Sequence, residues 1–537
     1  MKGRLTAGGM ILFMTVTACG MNEGGETAGD ESEGKDNDQT KLTLALGGEP
    51  DDGFDPTTGW GRYGSPLFQS TLLTREMDFS IGNDLATDYE VTEDGYVWSV
   101  TIQEDVVFSD GEPLTVDDVV YTFETAKESA SVVDLTNLDT VEAEGNTVDF
   151  ILHEPQSTFI HSLVTTGIVP EHAHDENYAE APIGSGPFEF IQWDKGQQLI
   201  VGVNEHYYGE KPVFEQVTFL FLAEDAAFAA ARRGDVDIAA IPPSFAHDDV
   251  EGMEIVSLES VDNRGISFPM VESGDSTDEG YPVGNDVTSQ ETVRKAINIA
   301  LDREALVEGV LEGYGTVAHS VNDGLPWWNE DTAVEDNRMD EAKKLLEDDG
   351  WVDHSGDGIL KKEEQKLQFK LIYPANDQVR QSLSIAVSDM LKPLGVDVIV
   401  EGKSWDEIKR SMHEHAVLLG WGSYNPLEMY HLYSGTMKGA GWYNAGYYQN
   451  EQVDAYLNQA LLAVSEKEAT EYWKLAQWDG ETGFSAIGDA PWAWLVNLDH
   501  VYLVREGLEM GELKIQPHGH GWPITENLNE WHYISND

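Results

Sequence analysis

The chain has 537 residues, of which 32 are Lys or Arg and 98 are Asp or Glu, giving a formal charge of −66. Such an acidic excess excludes nucleic acid as a partner, because phosphates require a basic surface; it reads instead as a solvated exterior suited to high salt, where self-repulsion is screened. The length exceeds what one core supports and predicts two or three domains, 41% hydrophobic residues suffice to fill them, and a single Cys leaves no intrachain disulfide framework.

The N-terminus opens with Lys2 and Arg4, continues with apolar or small residues from Leu5 to Val16, and reaches Val16-Thr17-Ala18-Cys19-Gly20. The apolar run is shorter than the ~20 residues a bilayer-spanning helix needs. It reads as a signal peptide over 1–18, with a lipoprotein cleavage box that leaves Cys19 as the lipidated first residue. Residues 19–40, rich in Gly and acids and without apolar periodicity, form a tether with an r.m.s. span of about 25 Å. The body starts at the alternating strand Lys41 to Leu46, followed by the turns at Gly47-Gly48-Glu49-Pro50 and Phe54-Asp55-Pro56. Trp60, Tyr63 and Phe68 suit core packing, and Trp60 and Tyr63, nearest the loop, are also candidates for a pocket wall.

From Asp94 to Phe123 the sequence is DGYVWSVTIQEDVVFSDGEPLTVDDVVYTF. Tyr96, Trp98, Val100 and Ile102 alternate with less apolar residues and predict a strand with one face in a core, and Val106 to Phe108 predicts a second, shorter one. Ser109-Asp110-Gly111-Glu112-Pro113 is a turn, since Gly111 accepts a positive φ and Pro113 cannot extend a ladder. Thr115 then caps a helix with the stripe Val119, Val120 and Phe123, and Asp117 and Asp118 lie in its first turn, where the helix dipole favours negative charge. The run VFSDGEPLTVDDVVYTF closely resembles the signature of the family-5 extracytoplasmic solute-binding proteins, the peptide, nickel and opine binders of ABC importers.

The chain beyond it keeps the order of that family. Pro182-Ile183-Gly184-Ser185-Gly186-Pro187-Phe188 lacks the Lys and following helix of a phosphate loop and resembles the family's return from a small domain into the ligand-binding lobe. Val261-Asp262-Asn263-Arg264-Gly265 falls where such proteins cross a hinge. Val293 to Val310 reads as a core helix pair and Met339 to Leu346 as a helix. Asp353, Ser355, Asp357, Gly358 and Glu364 then follow the spacing of a calcium loop; the alternative is an Asp/Gly-stabilised turn, because no helix is evident after Glu364. Leu367 to Tyr373, Val379 to Leu391 and Val396 to Val400 form a β-α-β unit. Loops after such strands face the ligand crevice, which makes Trp405, Trp421, Tyr424, Asn425 and His431 pocket candidates. His413 and His415 sit in an expected helix, where side chains two apart diverge. Near the C-terminus, Gln516-Pro517-His518-Gly519-His520-Gly521-Trp522-Pro523 combines two imidazoles with permissive backbone and offers His518 and His520 to a borderline metal, with Trp522 beside them as a ligand contact.

The resemblance implies an α/β fold of the type II periplasmic-binding-protein kind, two lobes around a cleft plus an additional α/β domain. It places lobe I in 41–70, 184–266 and 500–537, the extra domain in 71–183 and lobe III in 267–499. It implies a monomeric binding protein outside the membrane, anchored through Cys19, that closes on a small solute and delivers it to a permease with its ATPase; no cofactor is required, and calcium would be a structural ion. The rival class, a secreted hydrolase, finds no H-E-x-x-H, G-x-S-x-G or Ser/His/Asp spacing to carry it. Dipeptide-binding members of the family carry Asp-Pro where this chain has Asn425-Pro426, and an Arg where the ungapped reading puts Ile372. With both charges lost and histidines gathered, the sequence favours a nickel chelate held by His518 and His520; longer peptides are the alternative.

Overall fold

A computed structural model describes residues 40–63, 66–129, 133–519 and 522–534. The signal segment, Cys19 and the tether lie outside the described residues, and so does His520. Everything from Thr40 onward forms one compact unit.

Two mixed sheets carry the molecule. The first has seven strands in the order Met253–Leu258, His500–Arg505, Ile238–Ala240, Lys41–Ala45, Gln216–Leu220, Gln198–Val203 and Phe188–Asp194. Lys41–Ala45 runs parallel to both of its neighbours, so its alternate residues Leu42 and Leu44 enter a core with Val217, Phe219 and Ile238. The second sheet orders Gly315–Val317, Trp492–Leu498, Asn263–Ser267, Ala416–Leu419, Gln368–Pro374 and Asp397–Lys403. Its last three strands are parallel to one another, and the helix Gln378–Leu391 crosses between two of them. Their carboxyl ends therefore share one edge, with Trp421 just beyond the strand Ala416–Leu419.

A third, antiparallel sheet, Ala86–Val91, Val97–Ile102, Thr147–Leu152 and Leu138–Glu144, is covered by the helix Val116–Glu128. The expected alternation holds from Trp98 on: Trp98, Val100 and Ile102 are buried with Val119, Phe123 and Phe150, while Tyr96 lies outside the strand and is 41% exposed. Phe123 meets Phe150 edge to face at 4.7 Å, and each such ring contributes about 1.5–3 kcal/mol on burial. Thr115 and Asp118 form a reciprocal capping box at the start of the helix. No strand forms over Val106 to Phe108; Val107 makes a lone bridge to Pro113, because a turn that tight leaves no length for a ladder. Gly184 explains the glycine-rich crossover: a Cβ there would stand 2.0 Å from the Phe68 carbonyl oxygen.

Among the described residues the chain passes between the two sheets twice, at 259–262 and 498–500, and 514–516 lies alongside the first crossing. Gln516 donates to the Glu259 carbonyl at 2.8 Å and accepts from Val261 at 2.8 Å, and the Leu498 amide donates to Asp262 at 2.9 Å. The change of sheet falls at 259–262, so Asn263–Ser267 already belongs to the second sheet rather than to lobe I as the sequence divided it. His413 and His415 follow the helix Trp405–Ser411 rather than lying in it; His413 is buried and its Nδ1 meets the Ala445 carbonyl at 2.8 Å.

Candidate ligand-binding site

A cavity of about 450 Å³ opens between the two lobes, within the ~300–1,000 Å³ typical of small-molecule sites. Arg62 and Tyr63 contribute from the first ligand-side loop, Arg75 from the strand Leu73–Arg75 and His161 from the helix Ile160–Thr165. The facing wall is Trp421, Tyr424 and Asn425, then Glu428 and His431 from the helix Leu427–Tyr433, and Tyr443 beyond it. The sequence placed Trp421, Tyr424, Asn425 and His431 after a strand, facing the crevice. Pro426 starts a helix, which places Glu428 and His431 three residues apart on one face.

The walls are aromatic. His431 stacks on Tyr443 with centroids 4.1 Å apart and an interplanar angle of 17°, Trp421 lies 5.8 Å from Tyr443, and Phe79 meets Tyr424 edge-on at 5.3 Å. Burial holds the His431 pKa down to about 4, so its imidazole is neutral at physiological pH.

Polar side chains are numerous between the rings and unevenly matched. The Glu428 carboxylate accepts from the amides of Gly422 at 3.3 Å and Ser423 at 3.2 Å, and no cationic side chain pairs with it among the described residues. Burial first, and Asp262 in addition, push its pKa up to about 8. Asn425 has a local duty: its Oδ1 accepts from the Leu427 amide at 3.0 Å, and its own amide donates to Ser423 Oγ at 3.0 Å. Behind the cavity, where the chain changes sheet, Asp262 accepts from Arg264 Nη1 at 2.5 Å, with His518 Nε2 at 3.5 Å and His500 Nε2 at 3.8 Å. Burial alone would raise the Asp262 pKa, but Arg264, His518 and His500 outweigh it and hold the pKa well below the ordinary range. Gly422 packs on this junction with φ +139°, and a Cβ on it would lie 2.1 Å from the Val261 carbonyl oxygen.

Of the sequence candidates, Tyr63, Trp421, Tyr424, Asn425 and His431 line the cavity. Trp60 and Trp522 do not; they pack on each other at 5.5 Å in the core beneath the first sheet, where Trp522 also stacks on Phe219 at 4.5 Å. Trp405 is 41% exposed and rests edge-on against Trp442 at 5.4 Å, apart from the cavity lining. His518 turns to Asp262 instead of the cavity. In the candidate calcium loop, Asp353 accepts from the amides of Ser355, Gly356 and Gly358, and the Lys361 ammonium lies 2.6 Å from Ser355 Oγ and 3.4 Å from Asp357 Oδ2, among the oxygens a cation would use. A hairpin, Lys361–Lys362 with Gln365–Lys366, follows, and Glu364 sits in its turn. Among the described residues no group of three or more His, Cys, Asp or Glu is placed to hold a metal ion. The sequence reading missed Arg62, Arg75, His161, Glu428 and Tyr443. For Glu428 a usable signal existed, its helical spacing from His431; the others come from distant segments that only the fold brings together.

A cleft between two sheet-built lobes, joined by two antiparallel crossing segments and walled with aromatic and charged side chains, fits a solute-binding protein. Residues 80–443 match the model of the bacterial extracellular solute-binding proteins, family 5. Protein XP55 of Streptomyces lividans is 31% identical over 488 residues, covering 87% of this chain and 85% of XP55. The oligopeptide-binding protein AppA of Bacillus subtilis (strain 168) is 26% identical over 530 residues, 93% of this chain and 94% of AppA. The structure of NikZ from Campylobacter jejuni in complex with Ni(L-His) superposes with a TM-score of 0.75 at 24% identity over 92% of this chain and 99% of NikZ, a likeness of fold. The chain belongs to the family-5 extracellular solute-binding proteins: it has the type II periplasmic-binding-protein fold and is the extracytoplasmic binding protein of an ABC importer, not an enzyme.

Proposed function

We propose that this protein captures short peptides and passes them to its ABC permease. The observation that carries this reading is Glu428, a carboxyl in the cavity wall that no cation among the described residues neutralises. Such a group holds its proton until an opposite charge arrives, and the α-ammonium of a peptide supplies one. The sequence resemblance implies a carboxylate at the position of Asn425; here Glu428, three residues further on, offers one. The aromatic wall of Trp421, Tyr424 and Tyr443 suits varied side chains, and AppA, which shares nearly the whole length, is named for oligopeptide binding. Closure about the segments 259–262, 498–500 and 514–516 would bring Trp421 and Glu428 onto the bound solute. Titration calorimetry with a short-peptide pool tests the reading: the expected result is binding by the wild type that falls by roughly 30-fold or more in Glu428→Gln, and no heat from any peptide overturns it.

A second reading, capture of a metal chelate, rests on one observation: His431 presents a neutral imidazole to the cavity, the form that ligates metals. Nickel binding in the presence of free histidine, lost in His431→Ala, would select it over peptides. We also propose that Cys19, outside the described residues, anchors the protein by a lipid to the outer face of the membrane. Among the described residues no helix is long and apolar enough to cross it. Cys19→Ala should release the protein into the detergent-free soluble fraction or block its processing; unchanged membrane retention refutes the anchor.

A further inference from the structure

Arg75 is 6% exposed and lines the cavity. Its Nη1 donates to the Phe79 carbonyl at 3.2 Å and its Nη2 lies 2.5 Å from His161 Nδ1. Burial and the adjacent guanidinium hold the His161 pKa well below its ordinary value, so His161 is the neutral acceptor and Arg75 the donor. The guanidinium also faces the Tyr424 ring, 5.7 Å from its centroid. Two of its five N–H groups are thereby engaged, and among the described residues no carboxylate forms an ion pair with it. The acids that act on it do so from a distance: Glu466, and Glu526, whose own partner is Lys514 Nζ at 2.5 Å.

An arginine taken out of water without an anion is costly, and a purely structural strut to Phe79 could be made by a neutral donor. The planar fork with N–H groups to spare is the group that recognises a carboxylate in two-point fashion. Arg75 and Glu428 both line the cavity without forming an ion pair with each other, and the Tyr424 ring that Arg75 faces belongs to the wall that carries Glu428. The lining thus offers a guanidinium with donors to spare and a carboxyl that an ammonium can ionise, the two groups that the ends of a zwitterion would require.

We propose that Arg75 is the specificity-determining residue for the carboxylate end of the ligand, with His161 as the positioning residue that fixes its guanidinium. The proposal rests on the peptide reading and makes the extra domain, through the helix Ile160–Thr165, part of the ligand site.

A competition experiment tests it. The full protein is incubated with an equimolar pool of free tripeptides, their C-terminal amides and their N-acetyl derivatives, exchanged into volatile buffer and read by native mass spectrometry. The wild type should retain free acids over amides by about 30-fold or more. Arg75→Gln should lose that preference while still favouring free over acetylated amines, and Arg75→Lys should keep part of it; if Arg75→Gln does not fold, as judged by its melting curve, Arg75→Lys carries the comparison. His161→Gln, whose side-chain oxygen can still accept from the guanidinium, should preserve the preference that His161→Ala weakens. Amides retained as well as acids by the wild type, or an undiminished preference in both Arg75 variants, overturns the carboxylate assignment and leaves the peptide reading standing. If no peptide of any form is retained, the peptide reading falls and the assignment with it.

Discussion

Glu428 carries a consequence for pH. Its pKa rises from an ordinary 4.5 to about 8 on folding, so between those values the native chain holds a proton that the unfolded chain has released. The stabilisation from this site is complete below about 4.5 and is lost as pH rises through about 8. Glu428→Gln should therefore melt close to the wild type near pH 4 and above it near pH 9, with parallel melting curves at both values counting against the assignment. A cationic ligand that pairs with the ionised form must displace the same proton, so calorimetry near pH 7 in buffers of different ionisation enthalpy should register up to about one proton released per ligand, and none in Glu428→Gln. The sequence made half of this site legible. Tyr63, Trp421 and Tyr424 were found because they sit in loops or turns following strands of recognisable pattern, and His431 because it follows the same strand a few residues on, although it lies in a helix. Arg75 and His161 were not, since neither a strand-end arginine nor a helix histidine stands out until folding sets them 2.5 Å apart. His518 was misjudged for the complementary reason: its partner Asp262 lies in the segment where the chain changes sheet.

At the scale of elements, the opening of the helix Val116–Glu128 is a junction rather than a simple cap. Asp118 accepts from Thr115 N at 2.9 Å and Thr115 Oγ1 at 3.1 Å, while its other oxygen accepts from Glu171 N at 3.0 Å. Asp118→Ala removes all three bonds at a buried position and should cost about 2–3 kcal/mol in denaturant unfolding; a loss within about 0.5 kcal/mol would mean that solvent replaces the carboxylate. The Asp353 turn behaves differently. With Lys361 already among its oxygens, adding calcium or chelator should leave the melting temperature unchanged, whereas Asp353→Ala should lower it; a calcium-dependent rise would restore the ion. Strands and helices were readable where apolar period and cap chemistry agree, as in Val97–Ile102, Val116–Glu128 and Gln378–Leu391. They were not where a short element is defined by its neighbours: Leu427–Tyr433 has seven residues and a Pro before it, and only its seat in the cleft wall makes it a helix.

For the whole molecule the dominant quantity is the charge of −66. Self-repulsion at this density acts against the compact state and is relieved as the screening length falls from about 10 Å at 0.1 M to about 3 Å at 1 M salt. The melting temperature should climb over that range alike in sodium and potassium chloride, and a flat response would show that self-repulsion among the acids does not limit stability. The order of strands in the first sheet has a separate consequence, for synthesis and export. Met253–Leu258 pairs with His500–Arg505 alone, and His500–Arg505 also borders Ile238–Ala240 near the middle of the sheet. A chain crossing the membrane from its N-terminus therefore exposes two unsheltered strand edges until almost all of it has emerged, the circumstance in which nascent sheets aggregate. Export in the unfolded state would require translocation to outpace that encounter, or a chaperone to cover residues 238–258 until His500–Arg505 arrives.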